Sequence, residues 1–134
     1  MIYSKEVMKH FKSPKNLGEI KKPDGVGTVG NPRCGDVMKL YIKVGRREEQ
    51  GRSEEYIKEI KFQTLGCGAA IACSSMTTEL VKGKSLAEAL KISNKKIAEA
   101  LGELPPVKYH CSILSEEAIK AAVENYLGKK NDKN

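Results

Sequence analysis

Apolar and polar side chains alternate along residues 37–44, which read Val37-Met38-Lys39-Leu40-Tyr41-Ile42-Lys43-Val44. A period of two is typical of a strand that buries one face. The same alternation recurs over residues 56–64, and a shorter apolar run lies at residues 26–29. Residues 45–55 are charged and lack large apolar side chains, so they are predicted to form a loop. We therefore predict three strands, joined by turns, in an antiparallel meander.

Most of the predicted helices follow these strands along the chain. Residues 69–82 are predicted to be helical, Ser85 opens a capping box that ends at Glu88, and Ser93 or Asn94 can cap a further helix. Strands followed by helices indicate an α+β fold, here a three-stranded antiparallel meander packed against several helices.

The two ends of the chain are also predicted to be helical. Ser4 can cap a short helix over residues 3–11, in which His10 is expected to be exposed or to cap the helix end. Ser112 or Ser115 can cap a long C-terminal helix that ends near residue 127. We expect one domain over residues 1–128 and a polar, disordered tail over residues 129–134.

Composition limits the classes of function. The 134 residues carry 24 basic and 17 acidic side chains, a formal net charge of +7. Such a balance suggests nucleic acid as a partner, but the lysines are dispersed and no basic run is interleaved with aromatic residues. We expect a solvated basic surface and no nucleic-acid partner, while a basic face that binds an acidic protein stays an open alternative.

No apolar run approaches the ~20 residues that cross a bilayer, so we expect a soluble cytoplasmic protein without a membrane partner.

The four cysteines do not form a Cys-x-x-Cys pair, which argues against a zinc ribbon or a thioredoxin-type site. Cys34 and Cys67 stand beside glycines, which let the backbone approach a bulky ligand. A meander brings the turn before its second strand and the end of its third strand together, so these two thiols are predicted neighbours. Cys73 falls on an apolar helical stripe, where burial is favoured over ligation.

Cys111 follows His110 directly, at the end of the segment Leu104-Pro105-Pro106-Val107-Lys108. The proline pair prevents helix formation there and holds the chain extended. His110 and Cys111 are therefore predicted to lie just before the positive pole of the last helix, which favours an anionic group such as a thiolate.

Three thiols with Asp36 and His110 nearby leave several functions open. The thiols could be buried structural residues, whereas a cysteine hydrolase is disfavoured because adjacent Cys and His side chains rarely face each other. Thiolates suit zinc and iron–sulfur clusters. A carboxylate oxygen matches cluster iron poorly, so a cluster held beside Asp36 is expected to be labile, as in a cluster donor.

Three motifs resemble the IscU/NifU N-terminal type of iron–sulfur cluster assembly scaffold. They are residues 30–38 around Cys34, residues 64–72 around Cys67, and residues 104–112. The three motifs occur in the family's order, and the resemblance covers nearly the whole chain. The resemblance implies that Cys34, Cys67 and Cys111 bind a transient [2Fe–2S] cluster. It implies that His110 is a fourth or alternative ligand, that Asp36 governs release, and that Zn²⁺ can occupy the cluster-free site.

The resemblance also implies a non-enzymatic scaffold with several protein partners. Sulfur would come from a cysteine desulfurase, and a ferredoxin and a frataxin-like iron donor would assist. The segment formed by Leu104, Pro105, Pro106, Val107 and Lys108 is similar to the one that an Hsp70-type chaperone and its J-domain co-chaperone use during transfer to apo-proteins. The two prolines would lower the entropy cost of binding an extended peptide.

Several sequence features indicate which branch of the family the chain resembles and which other functions remain open. His110 and the proline pair favour the IscU branch over the zinc-dependent SufU branch, and Cys73 is a candidate extra persulfide acceptor. The 45–55 loop is longer than in the family, and no C-terminal Cys-x-x-Cys domain follows, which predicts a stand-alone scaffold. The main alternative is a stable zinc-binding domain, structural or sulfur-accepting, that uses the same thiolates. A basic nucleic-acid-binding module is the third class.

Overall fold

The computed structural model describes residues 3–31, 33, 35–102, 104 and 109–132. In this part of the chain, one three-stranded antiparallel sheet with the order β1-β2-β3 packs against five helices. This architecture confirms the predicted α+β meander and the long C-terminal helix. The elements are α1 (Lys5–Lys12), β1 (Gly25–Asn31), β2 (Asp36–Glu49), β3 (Arg52–Leu65), α2 (Gly68–Val81), α3 (Leu86–Ala89), α4 (Asn94–Ala100) and α5 (Tyr109–Asp132).

Serine side chains begin three of the helices, as the sequence predicts. The hydroxyl oxygens of Ser4, Ser85 and Ser93 accept hydrogen bonds from the backbone N–H three residues on, at the starts of α1, α3 and α4. Each bond satisfies an amide that the helix itself leaves without a partner. None of the described helices combines the length and the hydropathy that a bilayer span requires.

The prediction of a loop over residues 45–55 is wrong. Strands β2 and β3 continue through these residues as a two-stranded antiparallel ribbon. They meet in a two-residue turn at Gln50 and Gly51, whose φ angles of 53° and 77° fit a tight hairpin. Charge pairing across the ribbon replaces apolar alternation. The Arg47 guanidinium lies 2.7 Å from the Glu54 carboxylate and 4.5 Å from the ring centroid of Tyr56. A prediction based on buried apolar residues misses such a solvated ribbon.

Helix α5 also differs from its predicted bounds at both ends. It begins at Tyr109, and Ser112 and Ser115 donate back to the carbonyls of Tyr109 and Cys111 at 2.7 and 3.1 Å, so neither serine is an N-cap. It continues past residue 128 to Asp132, where a disordered tail was predicted. The Lys130 ammonium lies 2.7 Å from the Glu55 carboxylate on the ribbon, which stabilises the last turns. Residues 133–134 lie outside the described chain, and the 1–128 domain limit stays a prediction.

Two clusters of buried side chains hold the elements together. The first lies between the sheet and α5, which approaches β1 so closely that a Cβ on Gly27 would lie 2.5 Å from the Ala122 backbone nitrogen. The second surrounds α2, which is buried on almost every side. Cys73 is fully buried there, which confirms its predicted burial. The second cluster also contains Cys111 and Leu104, so it packs directly beneath the predicted metal-ligand segment.

His10 belongs to the interior, and the expectation of an exposed or helix-capping histidine is wrong. Its side chain is 6% exposed, and its Nδ1 lies 2.6 Å from Ser75 Oγ on α2. The same hydroxyl oxygen accepts from the Lys15 backbone N–H at 2.8 Å, so it has a proton to donate to a neutral His10. Burial lowers the pKa of His10, nearby Glu6 and Glu79 oppose this, and Lys9 and Lys15 add to it.

Acidification is therefore expected to destabilise the protein through His10. Because the folded-state pKa lies below the usual 6.5, the unfolded chain binds more protons. The resulting stability is present above pH 6.5 and is lost as the pH falls from 6.5 through the folded-state pKa. Urea unfolding between pH 7.5 and 5.5 should show a smaller decrease for His10→Gln than for the wild type. His110→Gln is the matched control, and an identical pH profile for His10→Gln and wild type would contradict this role.

Candidate metal centre

The candidate site lies where β2 begins and β3 ends. Val37 pairs with Leu65, so the chain entering β2 lies beside the chain leaving β3. A Cβ added to Gly66 would lie 3.0 Å from Asp36 Oδ1 and 3.6 Å from the Gly35 carbonyl oxygen. This close approach needs a glycine. It brings the residues next to Cys34 and Cys67 together, as the predicted meander requires, while Cys34 itself lies outside the described residues.

Helix α5 adds two side chains to this corner of the sheet. One potential ligand atom each from Asp36, His110 and Cys111 lies within 4.8 Å of the other two. His110 Nε2 is 3.2 Å from Asp36 Oδ2 and 3.6 Å from Cys111 Sγ. The structure thus brings together three of the five residues predicted to bind metal, although 74 residues separate Asp36 from His110.

These three side chains differ in exposure. The His110 side chain is 48% exposed and that of Asp36 is 23% exposed, whereas Cys111 is fully buried. Cys111 is the third residue of α5, so its thiol lies within the first turn rather than before the helix as predicted. Within this three-residue group, the polar ligands are therefore accessible to solvent and the sulfur ligand is covered. An incoming ion or protein would meet His110 first.

Cys67 is the N-cap residue of α2. Its carbonyl oxygen accepts from the amides of Ala70 and Ile71 at 3.0 and 3.2 Å, and its side chain makes no capping hydrogen bond. Cys67 is half-buried and does not belong to the three-residue ligand group. Cys67 caps α2 and Cys111 lies in the first turn of α5, so each residue lies near the positive end of a helix dipole.

Cys73 is fully buried in the cluster that also contains Cys111. Burial raises the pKa of its thiol far above the usual range, and Cys111 and Cys67 raise it further by their proximity. A buried thiol that stays protonated is a poor nucleophile and a poor metal ligand. Cys73 is therefore expected to remain a neutral core residue close to Cys67 and Cys111.

The ligand atoms form a mixed set of oxygen, nitrogen and sulfur. Thiolate and imidazole suit zinc and iron, whereas a carboxylate is a harder ligand. Asp36 and His110 also contact each other. When neither is bound to a metal, each therefore has the other as a hydrogen-bonding partner. Such a set fits a metal species that is bound and then released.

Exposed apolar side chains lie next to these ligands in the chain. Leu65 precedes the Cys67 segment and is 58% exposed, while Tyr109 and Ile113 on α5 are 45% and 42% exposed. These residues were not among the functional residues predicted from the sequence. The outward position of Leu65 at the end of β3 was the signal that could have indicated it.

Comparison with known proteins identifies the family. The family described as "NifU-like N terminal domain" matches residues 2–133. This chain belongs to the NifU-like N-terminal domain family. The predicted family relationship is thereby confirmed.

Within the NifU-like N-terminal family, the chain is similar to proteins named IscU. It is 55% identical over 134 residues to the iron–sulfur cluster assembly scaffold protein IscU of Buchnera aphidicola, covering 98% of each chain. It is 53% identical over 136 residues to the scaffold protein IscU of Escherichia coli, covering 99% of this chain and all of that protein.

A solved structure supports the fold. The chain matches a candidate iron–sulfur cluster assembly scaffold protein for the SUF system from Fervidobacterium islandicum with a TM-score of 0.68 and 26% identity. The match covers 90% of this chain and 96% of that one. The higher identity to IscU proteins agrees with the predicted IscU branch.

Proposed function

We propose that this protein is a scaffold on which an iron–sulfur cluster is assembled and from which it is transferred to apo-proteins. The observation that carries this proposal is the group formed by Asp36, His110 and Cys111, three ligand types that converge from the sheet and α5. Membership of the NifU-like family and the similarity to IscU scaffold proteins support it. In this function the cluster is cargo that must leave, which suits an open site with a mixed ligand set.

The proposed ligands of a [2Fe–2S] cluster are the thiolates of Cys34, Cys67 and Cys111. His110 is the proposed fourth ligand. Asp36 either takes the place of His110 on the iron or binds His110 and so removes it from the iron. The buried Cys111 anchors the cluster, whereas the exposed His110 is the ligand that exchanges with a recipient. Cys67 lies outside the three-residue group, and the neighbouring Gly66 and Gly68 leave its backbone free to adjust when a cluster binds.

Sulfur reaches the site as a persulfide on a cysteine desulfurase. Each persulfide sulfur needs two electrons to become sulfide, which a ferredoxin would supply, and a frataxin-like protein would supply iron. These partners must approach the open side of the site. The exposed Leu65, Tyr109 and Ile113 offer apolar contact area for such docking.

Residues 104–108 are the proposed binding segment for an Hsp70-type chaperone with its J-domain partner. Pro105, Pro106, Val107 and Lys108 lie outside the described residues, but Leu104 is 3% exposed and packs in the cluster that contains Cys111. A chaperone that binds Leu104 must first withdraw it from this cluster. Withdrawal would loosen the packing behind Cys111 and so favour release of the cluster.

Replacing both Pro105 and Pro106 by alanine is expected to reduce chaperone-stimulated transfer by about tenfold, because the extended segment loses its preorganisation. Cluster transfer to an apo-ferredoxin, followed by circular dichroism with and without chaperone and ATP, checks this. Unstimulated transfer should stay near the wild-type rate. A variant that responds to the chaperone like the wild type would contradict the proposed role of the segment.

Anaerobic reconstitution tests the function directly. Wild-type protein incubated with ferrous iron, cysteine and a cysteine desulfurase should develop the visible sulfur-to-iron absorption of a cluster. The cluster should then pass to an apo-ferredoxin. Failure to develop this absorption would exclude the scaffold function.

A stable zinc-binding domain is the second candidate function, because the same nitrogen, oxygen and sulfur ligands fit Zn²⁺. Competition between zinc and a forming cluster distinguishes the zinc-binding domain from the scaffold. A resident structural zinc should survive reconstitution and raise the melting temperature, whereas zinc in a scaffold should be displaced as the cluster forms.

A further inference from the structure

A second surface feature lies at the end of α2 that is remote from the metal ligands. Between the end of α2, α3 and the start of α4, the surface forms a groove of about 440 Å³. Helix α2 has 14 residues, so at 1.5 Å per residue this groove lies about 20 Å from Cys67. The groove and the metal centre can therefore be occupied at the same time.

The floor of the groove is apolar. It is formed by the buried Val81 and the half-buried Leu80 and Ile92. Val81 belongs to the core between the sheet and α5, Leu80 packs against the core around α2, and Ile92 contacts both. The half-buried Leu80 and Ile92 therefore offer an apolar surface that is packed against the core from behind.

The rim of the groove is basic. Lys84, Lys91 and Lys96 are exposed around it, and none of them has a carboxylate partner among the described residues. Glu88, the one acidic residue among the described residues that line the groove, already accepts a hydrogen bond from Ser85 Oγ at 3.2 Å in the capping box. Three cations thus face the groove with one partly engaged carboxylate to balance them.

We propose that this groove binds an acidic peptide segment of a partner protein, with an apolar side chain of that segment on the Leu80–Val81–Ile92 floor. Complementary charge favours an acidic partner, and the apolar floor favours a polypeptide over a small anion, which would gain nothing from it. None of the described residues that line the groove is aromatic, so these residues provide no stacking platform for nucleobases. This binding is independent of the metal centre and of the proposed cluster chemistry.

Fluorescence anisotropy with the metal-free 134-residue chain tests the groove. The probe is a fluorescein-labelled acidic peptide of glutamates and aspartates with two leucines. The double variant Lys91→Glu, Lys96→Glu is expected to weaken binding of this probe at least about tenfold, because attraction becomes repulsion. Lys21→Glu, Lys22→Glu is the matched control, since it makes the same change in net charge at two exposed lysines elsewhere and should retain most of the affinity.

A second peptide, with both leucines replaced by serine, should bind several-fold more weakly than the first. Equal affinity for the two peptides would show simple anion attraction and overturn the proposal. Equal loss in the two double variants, or an RNA oligonucleotide that displaces the peptide from the same lysines, would also overturn it. So would the absence of peptide binding by the wild type at low ionic strength. Asp36→Ala should leave peptide binding unchanged, which separates this result from the fate of the proposed scaffold function.

Discussion

Replacing Cys111 by serine is expected to reduce the cluster formed on reconstitution to less than about a tenth of the wild-type yield. Cys111 is the sulfur ligand of the three-residue group and is fully buried, so water cannot take its place. A serine hydroxyl at the same position is a hard, protonated group that binds iron poorly. Visible absorption and acid-labile sulfide per chain measure the effect.

Cys73→Ser is the matched control for this substitution. It changes the same atom in the same buried cluster, but burial raises the pKa of the Cys73 thiol and Cys73 is not part of the ligand group. Cluster yield should remain near the wild-type value. A loss of yield in Cys73→Ser similar to that in Cys111→Ser would contradict the assignment, and a normal yield in Cys111→Ser would exclude Cys111 as a ligand.

Replacing Asp36 by alanine is expected to prolong the life of the bound cluster by about tenfold. The Asp36 carboxylate lies 3.2 Å from His110 Nε2, so it competes with iron for this nitrogen and offers iron a weaker oxygen ligand. Without it, His110 can stay on the cluster. The decay of visible absorption in the presence of a chelator measures the half-life.

Asp36→Asn separates the two effects of the carboxylate. The amide keeps the shape and can still hydrogen-bond His110, but it has no charge to bind iron. A half-life like that of Asp36→Ala would indicate that the charge is responsible, and one like that of the wild type would indicate the hydrogen bond. Faster cluster loss in Asp36→Ala would contradict the proposed role in release.

Local patterns in the sequence were sufficient to predict much of the fold. The alternation over residues 37–44 reports a buried face directly, and the serine caps at Ser4, Ser85 and Ser93 act within one helical turn. The ribbon over residues 45–55 was missed because its stability comes from charge pairs across two strands. The last turns of α5 were missed because Lys130 finds its partner, Glu55, 75 residues earlier in the chain.

The candidate site also has features that could be predicted from local sequence and features that could not. The residue types and the motifs around Cys67 and Cys111 indicated metal chemistry from the sequence alone. The 3.2 Å contact of Asp36 with His110 depends on sheet register and on the start of α5, neither of which is a local property. The burial of Leu104 and of His10 was likewise unpredictable, because each depends on the packing of separate elements around α2.

Metal and sulfide analysis of protein purified without oxygen tests the central claim most directly. The scaffold function predicts iron and acid-labile sulfide in equal amounts, approaching about two of each per chain when the protein is fully loaded, as a [2Fe–2S] cluster requires. About one zinc per chain, without sulfide and not displaced on reconstitution, would contradict it.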